Sequence, residues 1–315
     1  MLVNGVWSKD FHPVQQADEE GRFKRVVSSF RNWITVDGSA GPDGQKSTIA
    51  EAGRYHLYVA LICPWACRTL MARKLKGLED VISVSVVEPF LGEQCWKFGD
   101  YPGAQPDVIN GAEYMHEIYT LSDSNFSGQV TVPVLWDKKQ KCIVNNESAD
   151  ILRILNSGFG SLSNNAIDLY PQQHATEINK LNAFFYENLN NGVYQAGFAK
   201  SQKAYNEAYN KVFNALDFLE KKLSGKTCLI SDKITEADIR VFVTLVRFDI
   251  AYYSLFKTNK KRLTDYKNIS QYLQHIYRMQ GIKDTVNIDH IKQGYYSIKA
   301  LNPQGIVPEG PALNW

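Results

Sequence analysis

The five residues Cys63-Pro64-Trp65-Ala66-Cys67 are the first in the chain whose types and spacing suggest chemistry. A cysteine placed after an apolar, strand-like run and before a helix sits where unpaired backbone N–H groups and the helix dipole stabilise a thiolate, and Pro64 suits the first helical position. Cys63 is therefore a candidate nucleophile; the competing reading is a small buried hydrophobe. Cys67 shares a helix face with Met71 and Leu75 and reads as core rather than as a resolving thiol. The spacing is CxxxC, not the CxxC of dithiol oxidoreductases, so a site with one working cysteine needs an external thiol to complete a cycle.

Two further features fit that need. In Thr131-Val132-Pro133 a proline opens a strand; with a cis peptide bond it would present the backbone of Val132 for strand-like pairing with a bound peptide, and with a trans bond it is an ordinary strand-edge proline. Glu147-Ser148 lies at a helix start, where free N–H groups suit a carboxylate and an acidic side chain could receive an ammonium; alone, helix capping explains the pair as well. Taken in order, the three features describe a pocket for a tripeptide with a carboxylate and an amine at one end and a thiol directed at Cys63, which is the shape of glutathione.

The elements that must position these residues follow from the pattern. Arg54 to Ile62 is an apolar strand, Pro64 to Lys76 a helix, and Val81 to Val87 a β-branched strand. A polar excursion from Glu88 to about Gly111 is longer than a connector should be. Strands at Thr131 to Trp136 and Cys142 to Val144, joined by the turn Asp137 to Lys141, lead into a helix that ends near Leu155. The order βαβ then ββα predicts a four-stranded sheet with helices on both faces, the thioredoxin-like arrangement.

From Asn156 to Asp168 the chain is rich in Ser, Gly and Asn, and beyond it strand signals give way to helical periodicity at about Gln172 to Asn188, Ser201 to Leu223, Thr235 to Leu255 and Ser270 to Gln280. The expectation is an α/β thioredoxin-like domain over 1–160, with an N-terminal extension, and an all-α domain over 161–315. Thr235 and Asp238 have the spacing of a reciprocal helix cap.

Composition narrows the function class. A length of 315 residues suggests two domains, and 35 Lys and Arg against 33 Asp and Glu leave +2, no field for nucleic acid. No apolar run reaches the roughly 20 residues of a membrane span, and Met1 to Lys9 lacks the pattern of a secretory signal. Five scattered cysteines read as cytosolic thiols rather than a disulfide framework. The six histidines (His12, His56, His116, His174, His275, His290) show no zinc-site spacing, so no metal is expected, and the glycines of Gly38 to Gly44 read as a surface loop.

With these residues in view, the chain resembles the glutathionyl-hydroquinone reductases, the Xi class of glutathione transferases. The resemblance is carried by Cys63-Pro64-Trp65-Ala66, Trp96, Val130 to Asp137, Asn146-Glu147-Ser148, Asn190-Asn191-Gly192-Val193-Tyr194 and Leu245 to Asp249, with Trp33-Ile34 and the tail Leu301 to Pro308. It implies the glutathione transferase fold and an enzyme that removes glutathione from glutathionyl-hydroquinones through a cysteine–glutathione mixed disulfide. In that resemblance Cys63 matches the nucleophile, Tyr194 the proton donor and acceptor, and Tyr252 and Tyr295 the tyrosines that lower the cysteine pKa; Tyr253 and Tyr296 are their off-by-one neighbours. Glutathione falls to Trp96, to the backbone of Val130, Thr131 and Val132 beside Pro133, and to Glu147 and Ser148.

Gln129 stands where the family often carries an arginine near the glycine carboxylate, so the salt bridge is replaced by a neutral amide. Cys95, beside Trp96, reads as a bystander. The resemblance further implies a homodimer through the helical domain, for which Gln202 to Asn210, with Tyr205 and Tyr209 on one helix face, is the candidate contact. The cysteine usage and the absence of a signal pattern point to a cytoplasmic protein. The competing activity is a general glutathione-dependent thiol transferase acting on mixed disulfides or dehydroascorbate, which needs Cys63 and not the tyrosines. A non-catalytic binder of quinone or aromatic ligands would need neither.

Overall fold

The structure, a computed structural model, describes residues 1–9, 17–313 and 315; His12 lies outside the described residues. The chain divides into two compact units, one of Met1–Pro13, Val26–Asp168 and Thr285–His290 and the other of Val14–Arg25, Leu169–Asp284 and Ile291–Trp315.

In the first unit, the two-residue strands β1 (Leu2–Val3) and β2 (Val6–Trp7) pair antiparallel, and β3 (Trp33–Thr35) pairs parallel with β4 (Ser47–Ile49) across the Gly38 to Gly44 loop. The main sheet follows: β5 (Tyr55–Val59), α1 (Pro64–Leu75) and β6 (Ile82–Val86) form the βαβ unit, and β9 (Val134–Asp137) and β10 (Cys142–Asn145) the hairpin that leads into α3 (Ser148–Ser157). The strand order is β10-β9-β5-β6, with β5 parallel to β6 and antiparallel to β9. This is the thioredoxin-like sheet that the strand pattern predicts.

Every side chain of β5 is buried, as expected of a central strand covered on both faces. At its start Arg54 makes a two-pronged, buried contact with Asp137, Nε to Oδ1 at 3.0 Å and Nη2 to Oδ2 at 2.5 Å. Asp137 also accepts from the amides of Lys139 and Gln140, so one carboxylate ties the end of β9 to the start of β5 and shapes the hairpin turn.

Two parts of this unit lie outside the sequence expectation. The excursion after β6 holds a short hairpin of β7 (Leu91–Gly92) and β8 (Cys95–Trp96). Helix α2 (Met115–Ser122) then fills what periodicity leaves as connection. It is only eight residues long, with Met115, Ile118 and Tyr119 buried, and its first turn is closed by the Tyr114 amide donating to Glu117 at 3.0 Å.

The second unit carries α4 (Ala175–Phe185), α5 (Gly192–Gly197), α6 (Gln202–Lys222), α7 (Glu236–Arg247), α8 (Tyr253–Leu255) and α9 (Lys267–Tyr277); α10 spans Ile288–Tyr296. The expected helix at Gln172 to Asn188 resolves into a 3-10 turn, α4 and a π-helical turn at Tyr186–Asn190. The one at Thr235 to Leu255 is interrupted in the same way by a π turn at Phe248–Tyr252. Apolar residues continue through both turns, so a 3.6-residue pattern passes over the extra residue that each inserts. The reciprocal cap forms as its spacing predicts, with the Thr235 amide and hydroxyl donating to Asp238 at 2.9 and 2.8 Å.

Candidate functional site

Cys63 is the N-cap residue of α1, with Pro64 at the first helical position and no acidic residue in the first turn. Its φ of −75° and ψ of 120° turn the chain out of β5, and the half-buried thiol donates toward the carbonyl oxygen of Val132 at 3.6 Å. No carboxylate in that turn competes for the helix dipole, which leaves the terminus suited to an anionic sulfur.

The segment before β9 supplies the acceptor. The Val132–Pro133 peptide bond is cis. Thr131 turns its backbone inward, its amide donating to the Tyr119 hydroxyl at 3.2 Å and its carbonyl accepting from that hydroxyl at 2.9 Å. The Asn146 amide group also reaches the Tyr119 oxygen, at 3.1 Å. Tyr119 of α2 therefore ties the Thr131 segment to the chain just before α3, a contact between two parts of the candidate site that the sequence does not reveal. The short apolar spacing of Met115, Ile118 and Tyr119 is the signal that could have found it.

Glu147 is the N-cap of α3; one carboxylate oxygen accepts from the Ala149 amide at 3.1 Å and the other from the Ser28 hydroxyl at 3.0 Å. Ser148 is buried and accepts from Arg68 at 3.3 Å, while the Arg68 guanidinium lies 4.3 Å from the Trp65 ring centroid. Arg68, one turn into α1, thus links the cysteine helix to the start of α3. Cys63, Val132, Glu147 and Ser148 come together in this unit around that link.

Trp96 is half-buried on β8, and its neighbour Cys95 is more than a bystander. Cys95 is buried in a left-handed conformation, φ 68°, and its thiol donates to the Val130 carbonyl at 3.4 Å, which tethers the hairpin carrying Trp96 to the Val130–Pro133 segment. Burial pushes this thiol up to about 12, so it stays protonated as a donor. Gln129 is half-buried beside Val130. Cys67 is buried and donates to the Thr285 carbonyl at 3.4 Å, in keeping with a core role.

In the second unit three tyrosine hydroxyls meet. Tyr194 on α5 lies 2.6 Å from the Tyr295 oxygen and 3.4 Å from that of Tyr252, and Tyr252 and Tyr295 are 2.8 Å apart. Tyr252 and Tyr295 are buried, and desolvation raises both pKa values well above the ordinary phenol range, opposed in part by the Arg247 guanidinium. Tyr194 is half-buried. The neighbours are engaged elsewhere: Tyr296 donates to the Ile250 carbonyl at 3.4 Å and Tyr253 lies under the Arg262 guanidinium. Each π turn ends beside a member of the cluster, Tyr186–Asn190 shortly before Tyr194 and Phe248–Tyr252 on Tyr252 itself.

Among the described residues no group of three or more His, Cys, Asp and Glu side chains could hold a metal ion, and no helix is long and apolar enough to cross a membrane.

Comparison with known proteins adds to this geometry. Family models for the glutathione S-transferase N-terminal domain and C-terminal domain match residues 62–157 and 202–275. The chain is 50% identical over 312 residues to glutathionyl-hydroquinone reductase YqjG of Escherichia coli, covering 98% of this chain and 94% of that protein. It is 45% identical over 313 residues to glutathionyl-hydroquinone reductase PcpF of Sphingobium chlorophenolicum, covering 99% and 96%. The glutathione-bound structure of YqjG superposes with a TM-score of 0.91 at 48% identity over 99% of this chain and 96% of that one. A Xi-class transferase from Natrialba magadii superposes at 0.90 with 40% identity, covering 100% and 93%.

Proposed function

Because the chain belongs to the glutathionyl-hydroquinone reductases, the Xi class of glutathione transferases, we propose that it strips glutathione from glutathionyl-hydroquinones, using glutathione as co-substrate. The Cys63 thiolate attacks the thioether sulfur, forming the Cys63–glutathione disulfide as the sulfur–carbon bond breaks. The aryl carbon leaves with the bonding electron pair and takes a proton, so the ring is reduced to the hydroquinone while sulfur is oxidised. A second glutathione thiolate then attacks the mixed disulfide, releasing glutathione disulfide and restoring Cys63.

The leaving group makes this chemistry demanding, since an aryl carbanion is expelled unless a proton arrives as the bond breaks. Tyr194 is our proton donor. The observation that favours this activity over a general thiol transferase is the meeting of the Tyr194, Tyr252 and Tyr295 hydroxyls. Disulfide exchange has a sulfur leaving group and requires no such cluster.

The remaining roles follow the same reading. Trp96 and the backbone around Val130, Thr131, Val132 and Pro133 take the tripeptide, with Gln129 near its glycine carboxylate and Glu147 and Ser148 at its amino-acid end. Residues 1–160 serve glutathione, and residues 161–315 serve the aromatic substrate and dimerisation. We read the protein as a cytoplasmic homodimer with its contact near Gln202 to Asn210, where the rings of Tyr205 and Tyr209 lie 5.6 Å apart on one face of α6.

The test is Tyr194→Phe, with hydroquinone and glutathione disulfide followed by mass spectrometry. Reduction of a glutathionyl-hydroquinone should fall about 100-fold or more, the scale of general acid catalysis, while small mixed disulfides are still reduced within about twofold. Equal loss of both activities would remove Tyr194 from the role of donor.

A further inference from the structure

The segment from Ala17 to Arg25 carries none of the proposed catalytic or glutathione-binding side chains, yet it reaches the tyrosine cluster. Within the second unit it is fastened to the start of α6. The Lys200 amide donates to the Gly21 carbonyl at 2.9 Å, the Ser201 hydroxyl donates to the Glu20 carbonyl at 2.8 Å, and Arg22 bridges to Glu207 at 3.1 Å. Gly21 has a φ of +80°, and a Cβ there would lie 3.0 Å from the Ser201 nitrogen, so the close approach depends on glycine. Phe23 is buried with its ring 5.6 Å from that of Phe198.

Two residues on, this anchored segment delivers Arg25. Its Nε donates to Asn191 Oδ1 at 3.0 Å, and its guanidinium carbon lies 4.9 Å from the centroid of the Tyr194 ring. A cation held against a phenol ring is attracted more strongly to the phenolate than to the phenol. We propose that Arg25 is a positioning residue for the proton donor: fixed by Asn191 over the ring of Tyr194, it makes this one of the three linked tyrosines the hydroxyl that gives up and recovers the proton. The inference rests on the reading of Tyr194 as donor.

The surroundings support that choice. The Tyr194 hydroxyl meets those of Tyr252 and Tyr295, with Arg247 acting on those two. Both are deeply buried phenols held in the neutral form, so each keeps an O–H to donate to the Tyr194 oxygen once it ionises. Arg25 supplies the cation on the ring side and the two tyrosines supply the donors on the oxygen side.

The experiment is a tyrosinate titration by ultraviolet absorbance on the full chain, with Tyr194→Phe as the subtracted reference, alongside the pH profile of kcat on a glutathionyl-hydroquinone. In Arg25→Gln the midpoint belonging to Tyr194 should rise by about one pH unit, and Arg25→Lys should recover most of that shift. An acid must hold its proton to donate it, so the alkaline limb of kcat should move up with the midpoint, and kcat at neutral pH should fall about tenfold at an unchanged KM for glutathione.

A midpoint that stays in place in folded Arg25→Gln overturns the proposal even if activity falls. Should Arg25→Gln not fold, Arg25→Lys reads the same quantity, since an ammonium cannot lie flat on the ring while bonded to Asn191. A rise of a few tenths of a unit there supports the proposal, and no rise overturns it. A wild-type chain that leaves glutathionyl-hydroquinones intact, while the midpoint still moves in Arg25→Gln, removes Tyr194's role as donor and leaves the hold of Arg25 on Tyr194 standing.

Discussion

The thiol of Cys63 donates toward the carbonyl oxygen of Val132 at 3.6 Å, across 69 positions of sequence. The proposed nucleophile and the carbonyl proposed to pair with a bound peptide are therefore neighbours, and the thiol itself occupies that carbonyl. Only the protonated sulfur can donate. A peptide amide pairing with Val132 would compete with the thiol for this carbonyl.

The five cysteines should separate cleanly in reactivity. Burial pushes Cys95 and Cys228 up to about 12 and raises Cys142, while Cys67 is buried against Thr285. At pH 7 a thiol with a pKa near 12 is ionised in about one molecule in 10⁵, and the thiolate is the reactive form. Brief alkylation with iodoacetamide, read by peptide mass spectrometry, should label Cys63 first and nearly alone. Equal labelling of Cys142 would count against Cys63 as the working thiol.

Breaking the Arg54–Asp137 pair should be costly. Removing Asp137 leaves a guanidinium at 8% side-chain exposure without its main partner and strips two amides of the β9–β10 turn of their acceptor. Asp137→Ala should lower unfolding stability by about 3–5 kcal/mol in urea titration. A loss below about 1 kcal/mol would show that the pair contributes little.

His56 should make stability fall on acidification. It lies on β5 with Nδ1 2.7 Å from the Ser83 hydroxyl, and burial lowers its pKa from 6.5 to about 3. The folded state binds this proton later than the unfolded chain, so the stability that His56 contributes is complete above pH 6.5 and drains away as the pH falls toward 3. Between pH 6.5 and 5 the loss should be about 1.6 kcal/mol, the slope rising to roughly 1.4 kcal/mol per pH unit once the unfolded imidazole is fully protonated. Denaturant midpoints of His56→Asn should be flatter across that window, and parallel slopes would refute the assignment.

Gln129→Arg should strengthen glutathione binding. A guanidinium in place of the half-buried amide offers the glycine carboxylate a charged partner, worth about 1 kcal/mol or roughly a fivefold lower KM for glutathione. An unchanged KM would mean that Gln129 does not face the carboxylate.

The glutathione half of the candidate site was legible because its residues sit at element ends, where chain direction and residue type coincide: Cys63 before Pro64, Pro133 before β9, Glu147 before α3. The tyrosines were legible only through resemblance. Tyr194, Tyr252 and Tyr295 lie up to 101 positions apart and share no local pattern with one another. Helix α2 escaped because eight residues give barely two turns of periodicity. The π turns escaped because their apolar residues continue the rhythm of the helices before them, and Arg25 because a lone arginine in an irregular segment carries no spacing to read.

Tyr119 makes a single joint of what would otherwise be two separate walls. Its one oxygen serves Thr131 on one side and Asn146 on the other, so the rim beside Pro133 and the rim leading to Glu147 share a hinge pin inside α2. Both rims are thus held by the same hydroxyl. If the proposed tripeptide lies between these two rims, trimming this one phenol should loosen its hold at both ends at once rather than at either alone.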